Sequence, residues 1–581
     1  MSRYAVGVDF GTESGRAVLV DVADGRELAV AVHPYRNGVI DERLPSPDDD
    51  VRLEPDWALQ DPADYVRTLR ATVPRLLAEA GVDPGDVIGI GIDATACTML
   101  PTLADGTPLC ALDRFRRNPH AWVKLWKHHA AQPEADRINA VARERGEPWL
   151  ERYGGKISSE WFFPKALQIL DEAPEVYRAA DRLIEAADWI VWQLTDRETR
   201  NNCTAGYKAL WSRRDGFPDE SYFAALHPDF RRVVDEKMSR EVVLIGRRAG
   251  RLCARAAAWT GLREGTAVAV ANVDAHVSVP AATVTEPGTM VVIMGTSNCH
   301  LVLGERPVPV EGMCGVVEDG VVPGRFGFEA GQSGVGDIFA WFAEHAVPPG
   351  YHEAARRRGV SVHEVLEAEA AGLRPGQSGL LALDWWNGNR SVLVDADLAG
   401  LLVGPTLATR APEVYRALIE ATAFGTRVII DAFEAKGVRV DGIVACGGLP
   451  EANRLLVQVY ADVTGREFRL AASRQTPALG SAMHAAVAAG TEAGGYDSIV
   501  EASRHMAHLR DRAYRPVPAH HAVYDELYRE YLRLHDLFGR GGMDVMKRLR
   551  RLRLQALGDP SRGVPPVLAN RRPPGTPLDR R

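Results

Sequence analysis

Apolar strands alternating with helical segments, and a strand–turn–strand unit that occurs twice, place this 581-residue chain in the α/β class with two related domains. The first unit is YAVGVDFGTESGRAVLVDV, turning at Gly11 and Thr12. The second is TMVVIMGTSNCHLVLG, turning at Gly295, Thr296 and Ser297. Units this far apart argue for two related domains rather than a short-period array. Composition agrees: 46% hydrophobic and 25% charged residues suit a globular chain that buries a large core.

From the N-terminus, apolar runs at 4–8 and 17–22 flank the first turn, and Asp24-Gly25 makes a hairpin turn into a third strand at 27–32. Helical patterns follow at 62–80 and 160–172, and VIGIGIDATACTML between them reads as a strand ending in a turn. The interdomain boundary falls near Glu286-Pro287-Gly288, giving domains 1–285 and 286–545. In the second, Val414, Leu418, Ala421 and Val428 share one face of a helix that stops at Gly437. The strand VDGIVACGG follows. Next comes a helix with Leu455, Leu456, Val459, Tyr460 and Val463 on one side. The expectation is two mixed sheets.

Several function classes drop out early. No stretch of about 18 apolar residues exists to span a membrane. Asp9, Glu13 and Arg16 break any leader-like stretch, so a cytoplasmic protein is expected. The seven cysteines (97, 110, 203, 253, 299, 314, 446) are scattered without a C-x-x-C pair, which fits reduced thiols and offers no zinc site. Net charge is −8, yet residues 547–581 carry +8, leaving residues 1–546 at −16. A body that acidic repels phosphate backbones, which argues against nucleic acid. The Pro- and Arg-rich tail 546–581 reads as a disordered end, with a partner-binding arm as the alternative.

Chemistry concentrates at strand ends. In VGVDFGTESGR a buried strand ends in Asp9, and the turn at Gly11 and Thr12 can face a phosphate. Asp9 suits Mg²⁺, which takes a carboxylate or two beside phosphate oxygens, and Arg16 offers a phosphate fork. On its own the segment equally suits an ordinary hairpin. Gly295-Thr296-Ser297 repeats the cradle, and Gly447-Gly448 lets a nucleoside lie against bare backbone, although such junctions also serve plain packing. No G-x-x-x-x-G-K-[ST] and no strand-following G-x-G-x-x-G is present.

The order DFGTESGR, MGTSNC and CGGLPEANRLLVQVYADVTG resembles the phosphate turns and adenosine motif of the actin-like ATPase superfamily. More narrowly it resembles the FGGY carbohydrate kinases. Within them, YGGKISSEWFFPKALQIL, NNCTAGYKALW, VDAHVS, GFEAGQSGVGDIFAWF and LDWWNGNRS resemble bacterial members acting on L-ribulose. The likeness runs from about residue 3 to about 545.

The resemblance implies two actin-like ATPase (ribonuclease H-like) domains with a nucleotide cleft between them. The N-terminal one would bind sugar and the C-terminal one nucleotide. It implies ATP, Mg²⁺ and a sugar, L-ribulose, as ligands. Asp274 resembles the general base; unaided it would read as a helix cap. Lys208 and Glu329 resemble sugar-hydroxyl contacts, where the bland readings are a surface lysine with a buried stem and a loop carboxylate. Ala96 resembles a backbone contact to the sugar, and Asn453 a residue beside the adenine. Two positions depart from the family pattern: Asn298 in the second turn, and Pro280, expected to end or kink its helix early. The oligomeric state is not legible, and a homodimer stays open. Two other classes stay in view: a kinase for another ketopentose or polyol (D-ribulose, xylulose or glycerol), and a regulatory ATPase of the same superfamily.

Overall fold

The computed structural model describes residues 2–45 and 50–556. Two mixed seven-stranded sheets dominate it. In the first, Tyr4–Phe10, Ser14–Asp21 and Glu27–Pro34 form an antiparallel meander, with register pairs Asp9↔Arg16 and Arg16↔Val32. Strand Val87–Ala94 then joins parallel to Tyr4–Phe10, pairing Asp93 with Asp9. Ala267–Ala269 and Asn272–Val273 lie along its far side, with Asn272 opposite Asp93. The second sheet repeats the plan. Gly288–Met294 and Asn298–Gly304 form a hairpin, Phe326–Gln332 extends it, and Val440–Cys446 runs parallel to Gly288–Met294.

Why these residues make these elements is plain from their burial. Tyr4–Phe10 and Val87–Ala94 are buried almost throughout, as strands covered on both faces must be. Helix Pro62–Ala80 starts on an Asp61 side-chain cap with Pro62 in its first turn and ends on left-handed Gly81. Helix Asp274–Ala281 holds Pro280 in its last turn and stops one residue later, as the ring's missing donor dictates.

Helix Thr476–Ala489 comes late in the chain yet lies on the first sheet. A Cβ at Gly7 would sit 1.8 Å from the Ala478 carbonyl oxygen, and one at Gly91 2.0 Å from that of Ser481. Bare backbone at both strands is therefore what lets this helix seat. One apolar cluster joins Val18 and Val20 of the first sheet, Val279, Leu479 and Met483 of the two intervening helices, and Val291 and Val444 of the second sheet. The halves thus share a core at one end of the interface.

Between residues 40 and 245 the first half carries an added lobe around a small four-stranded sheet. The tail also needs a correction. Val545–Ala556 is helical, with Lys547 bonded to Asp395 at 2.5 Å and Arg550 to Asp397 at 2.5 Å. The expected disorder therefore fails for 546–556, because the body supplies carboxylates for the basic face. Residues 557–581 lie outside the described residues.

Candidate active site

Three parallel strands of the first sheet end side by side and deliver three carboxylates. Asp9 and Asp93 are register partners, and Asp274 opens the helix after Asn272–Val273. Carboxyl ends of strands are where α/β sheets present ligand groups. Burial and the charge of Asp9 push the Asp274 carboxyl up to about 7. The same causes push Asp93 well above the usual carboxylate range. Asp93 is fully buried; its Oδ2 accepts from Ser481 Oγ at 2.6 Å and its Oδ1 has no partner. Asp274 Oδ1 accepts the adjacent Ala275 N–H at 2.7 Å, but the helix cap is Val273 and carries no side-chain bond, so the bland reading of Asp274 as a cap does not hold.

Arg16, expected as a phosphate fork, lies on the strand opposite Asp9 and reaches its Oδ2 at 3.2 Å. Its Nη1 donates to Gln475 at 3.4 Å. The guanidinium therefore balances the Asp9 charge at the turn.

The Lys208 ammonium donates to both oxygens of Glu329 at 2.8 Å, with His276 Nε2 3.4 Å from the same carboxylate. The Trp161 ring lies beneath Lys208, 5.5 Å from Nζ. Burial alone would favour neutral forms, but the pair's attraction outweighs it, holding Glu329 well below and Lys208 above their ordinary values. Glu329 belongs to the second sheet. The residues expected to meet the sugar therefore come from both halves of the chain. Ala96 precedes Cys97, a non-glycine residue at φ 57 whose carbonyl accepts from Lys165.

The two turns expected to face phosphates close differently. Gly11 N–H bonds Ser14 O at 3.0 Å and Gly295 N–H bonds Ser297 O at 3.0 Å, with Thr12 half-buried and Thr296 exposed. Thr12 Oγ1 accepts from Trp126 Nε1 at 3.0 Å. Gly447, at φ 100, would drive a Cβ to 2.4 Å from Met294 O, which seats the Gly447-Gly448 junction beside the second turn. Asn298 points away from that turn into the core, donating to Gln332 at 3.0 Å and Tyr460 at 3.2 Å. Asn453 caps helix Arg454–Thr464, accepting from Leu456 N–H at 2.8 Å and donating to the Tyr415 hydroxyl at 3.3 Å. Both of its amide groups are thereby engaged inside the fold.

Comparison with known proteins decides the family. Residues 4–279 match the N-terminal domain of the FGGY family of carbohydrate kinases, and residues 290–489 match its C-terminal domain. The chain belongs to the FGGY carbohydrate kinases.

As an FGGY kinase it acts on a sugar and ATP. Similar proteins include the ribulokinase of Geobacillus thermodenitrificans, 59% identical across 94% of this chain and 97% of that protein. The ribulokinase of Mycolicibacterium smegmatis is 54% identical across 95% and 97%. Among solved structures, the ligand-bound xylulose kinase of Lactobacillus acidophilus superposes with a TM-score of 0.75 at 17% identity, covering 92% of this chain and 98% of that one. That likeness shows the shared two-domain actin-like fold.

Other residues around the candidate site were not read from the sequence. Asp93 carried the same signal as Asp9, a carboxylate ending an apolar strand. Lys165 and Trp126 gave none, since a lysine in a helix and a lone tryptophan do not show which backbone they will meet. Glu160 and Arg390, 3.3 Å apart, bridge the two halves and fall in segments recognised only by likeness. Among the described residues, no helix is long and apolar enough to cross a membrane.

Proposed function

We propose that this kinase transfers the γ-phosphoryl group of ATP to the 5-hydroxyl of L-ribulose, giving L-ribulose 5-phosphate and ADP in L-arabinose breakdown, in the cytoplasm. The observation that carries the reaction type is Asp274, a carboxyl raised to about 7 at a strand end. Asp9 and the Lys208–Glu329 pair lie within its electrostatic reach. The ketopentose is supported by the 54–59% identity to proteins named ribulokinase.

In this reading Ala96, Lys208 and Glu329 orient the sugar. The 5-oxygen attacks the γ-phosphorus as its bond to the bridging oxygen of ADP breaks, and Asp274 receives the hydroxyl proton. Gly11, Thr12, Gly295, Thr296 and Ser297 flank the phosphates, and Gly447, Gly448 and Asn453 the adenosine. With its amide committed to capping, Asn453 contributes position and shape rather than a hydrogen bond.

Asp9 fits Mg²⁺ held with the phosphates. It is a buried carboxylate beside the first turn, and no cage of three or more His, Cys, Asp or Glu is needed for an ion that keeps its waters. Among the described residues no such cage exists. Mg²⁺ bound there would neutralise phosphate charge, and Arg16 offsets the charge of Asp9.

The test is ADP release with Mg·ATP and a panel of L-ribulose, D-ribulose, D- and L-xylulose, glycerol and no sugar. Stimulation led by L-ribulose is expected. Preference for another sugar replaces the substrate, and release that no sugar stimulates supports the regulatory-ATPase reading instead.

A further inference from the structure

Only eight lysines stand against 61 arginines in this chain, so a buried lysine marks a place where the bulkier fork does not serve. Lys165 is such a residue. It lies on helix Phe162–Glu172 and is 0% exposed. Its ammonium donates to Cys97 O at 2.5 Å and Leu125 O at 2.7 Å. These carbonyls belong to two separate loops. Cys97 follows Ala96 and sits at φ 57, a conformation a side-chain-bearing residue keeps only when its surroundings enforce it. Leu125 precedes Trp126, whose indole N–H holds Thr12 Oγ1 at 3.0 Å. Gln60 secures the same turn by donating to Thr12 O at 2.8 Å.

We infer that Lys165 is a positioning residue that fixes the separation between the sugar-side turn at Ala96–Cys97 and the phosphate turn at Gly11–Thr12. The connection is continuous: Ala96–Cys97 O, Lys165 Nζ, Leu125 O, Trp126 indole, Thr12. One ammonium therefore ties the wall that holds the acceptor sugar to the turn that flanks the donor phosphates. The cation is compact enough to serve two carbonyls with no room for solvent. Burial lowers its pKa to about 8, although Glu185 and Glu160 nearby oppose the shift. In-line transfer tolerates little error in the distance between the two reactants, and a displacement of about 1 Å costs on the order of 10² in rate.

The inference rests on Ala96 facing the sugar, as proposed above. Its test uses the full chain with Mg·ATP, the sugar panel and two variants. Lys165→Met keeps the length and apolar bulk of the stem while removing both donors. It is expected to raise the sugar KM about tenfold or more and lower kcat, while the dissociation constant for ATP alone, by calorimetry, moves less than about threefold. Trp126→Phe removes the indole N–H. It is expected to lower kcat about tenfold with the sugar KM within about threefold, and to add little to Lys165→Met in the double variant.

A folded Lys165→Met with wild-type KM and kcat overturns the inference. So does an equal loss in sugar KM and ATP binding, the mark of a generally loosened domain. Should Lys165→Met fail to fold, Trp126→Phe decides alone, and wild-type kcat in it overturns the linkage. If the wild type prefers another sugar, the substrate assignment falls while the ratios, taken on that sugar, still test Lys165. A wild type that no sugar stimulates removes both.

Discussion

Lys208 and Glu329 are 121 residues apart and on different halves of the chain, yet the ammonium meets both carboxylate oxygens at 2.8 Å. In the proposed reading, a sugar hydroxyl arriving at this pair meets a donor and an acceptor already fixed in place. Fixed dipoles of this kind need no reorganisation when substrate arrives. Removing one partner strands the other charge in a buried setting, at a cost of about 3–5 kcal/mol. Glu329→Gln is therefore expected to lower Tm more than the double variant Lys208→Met with Glu329→Gln, and both to raise the sugar KM. Thermal melts and sugar titrations check this; a double variant with a wild-type KM would remove the pair from the sugar site.

Asn298 gives a contrasting expectation. It follows the second Gly-Thr-Ser turn in sequence, but its amide nitrogen donates to Gln332 and Tyr460 in the core. Asn298→Ala should therefore destabilise the fold by about 1–3 kcal/mol while leaving the ATP KM within about threefold of wild type. Denaturant melts and an ATP titration read the two effects separately. A large rise in ATP KM without loss of stability would contradict the geometry.

The legible parts of this molecule were those with a local signal. The turn at Gly11–Thr12, the hairpin at Asp24-Gly25, helix Pro62–Ala80 and strand Val440–Cys446 each follow from period, cap or turn residue. What stayed illegible depends on contacts distant in sequence. That helix Thr476–Ala489 would lie on the first sheet depends on Gly7 and Gly91, which alone look like weak strand positions. That Glu329 would cross to Lys208 depends on how the second sheet faces the first. That helix Val545–Ala556 would form depends on Asp395 and Asp397 meeting its basic face. Likeness to a family supplied the site residues that periodicity could not.

The C-terminal helix yields its own prediction. Met546 is buried against the core of the second half, while Leu549 and Leu552 are exposed. Truncation after Gly542 should lower Tm by a few degrees, because a buried side chain contributes about 1.5–3 kcal/mol and surface ion pairs at most about 1. The chain truncated after Ala556 is the reference for that comparison. Equal Tm for both truncations would mean that the helix contributes nothing to the fold.

Asp274 carries the sharpest expectation, because its ionisation bears on rate and stability with opposite signs. As a base it works only when ionised, so kcat/KM should fall below about pH 7, where burial and Asp9 keep it protonated. Asp274→Asn should lower kcat by about 10²–10⁴ above about pH 7, and the gap should narrow below it as the wild type loses its ionised base. For stability, the folded pKa is raised above the ordinary value of about 3.9. Between that value and about 7 the folded protein holds a proton that the unfolded chain has released. The contribution to stability is thus fully present below about pH 4 and is lost as pH rises through about 7. Asn at this position cannot ionise and carries no such loss. Asp274→Asn should therefore melt higher than wild type at pH 8, and the advantage should shrink steadily toward pH 5. Melting curves for both proteins across this range decide the matter. An Asn variant that melts lower at pH 8 would show that the carboxylate is stabilised in the folded state, and the raised pKa assigned to the base would be wrong.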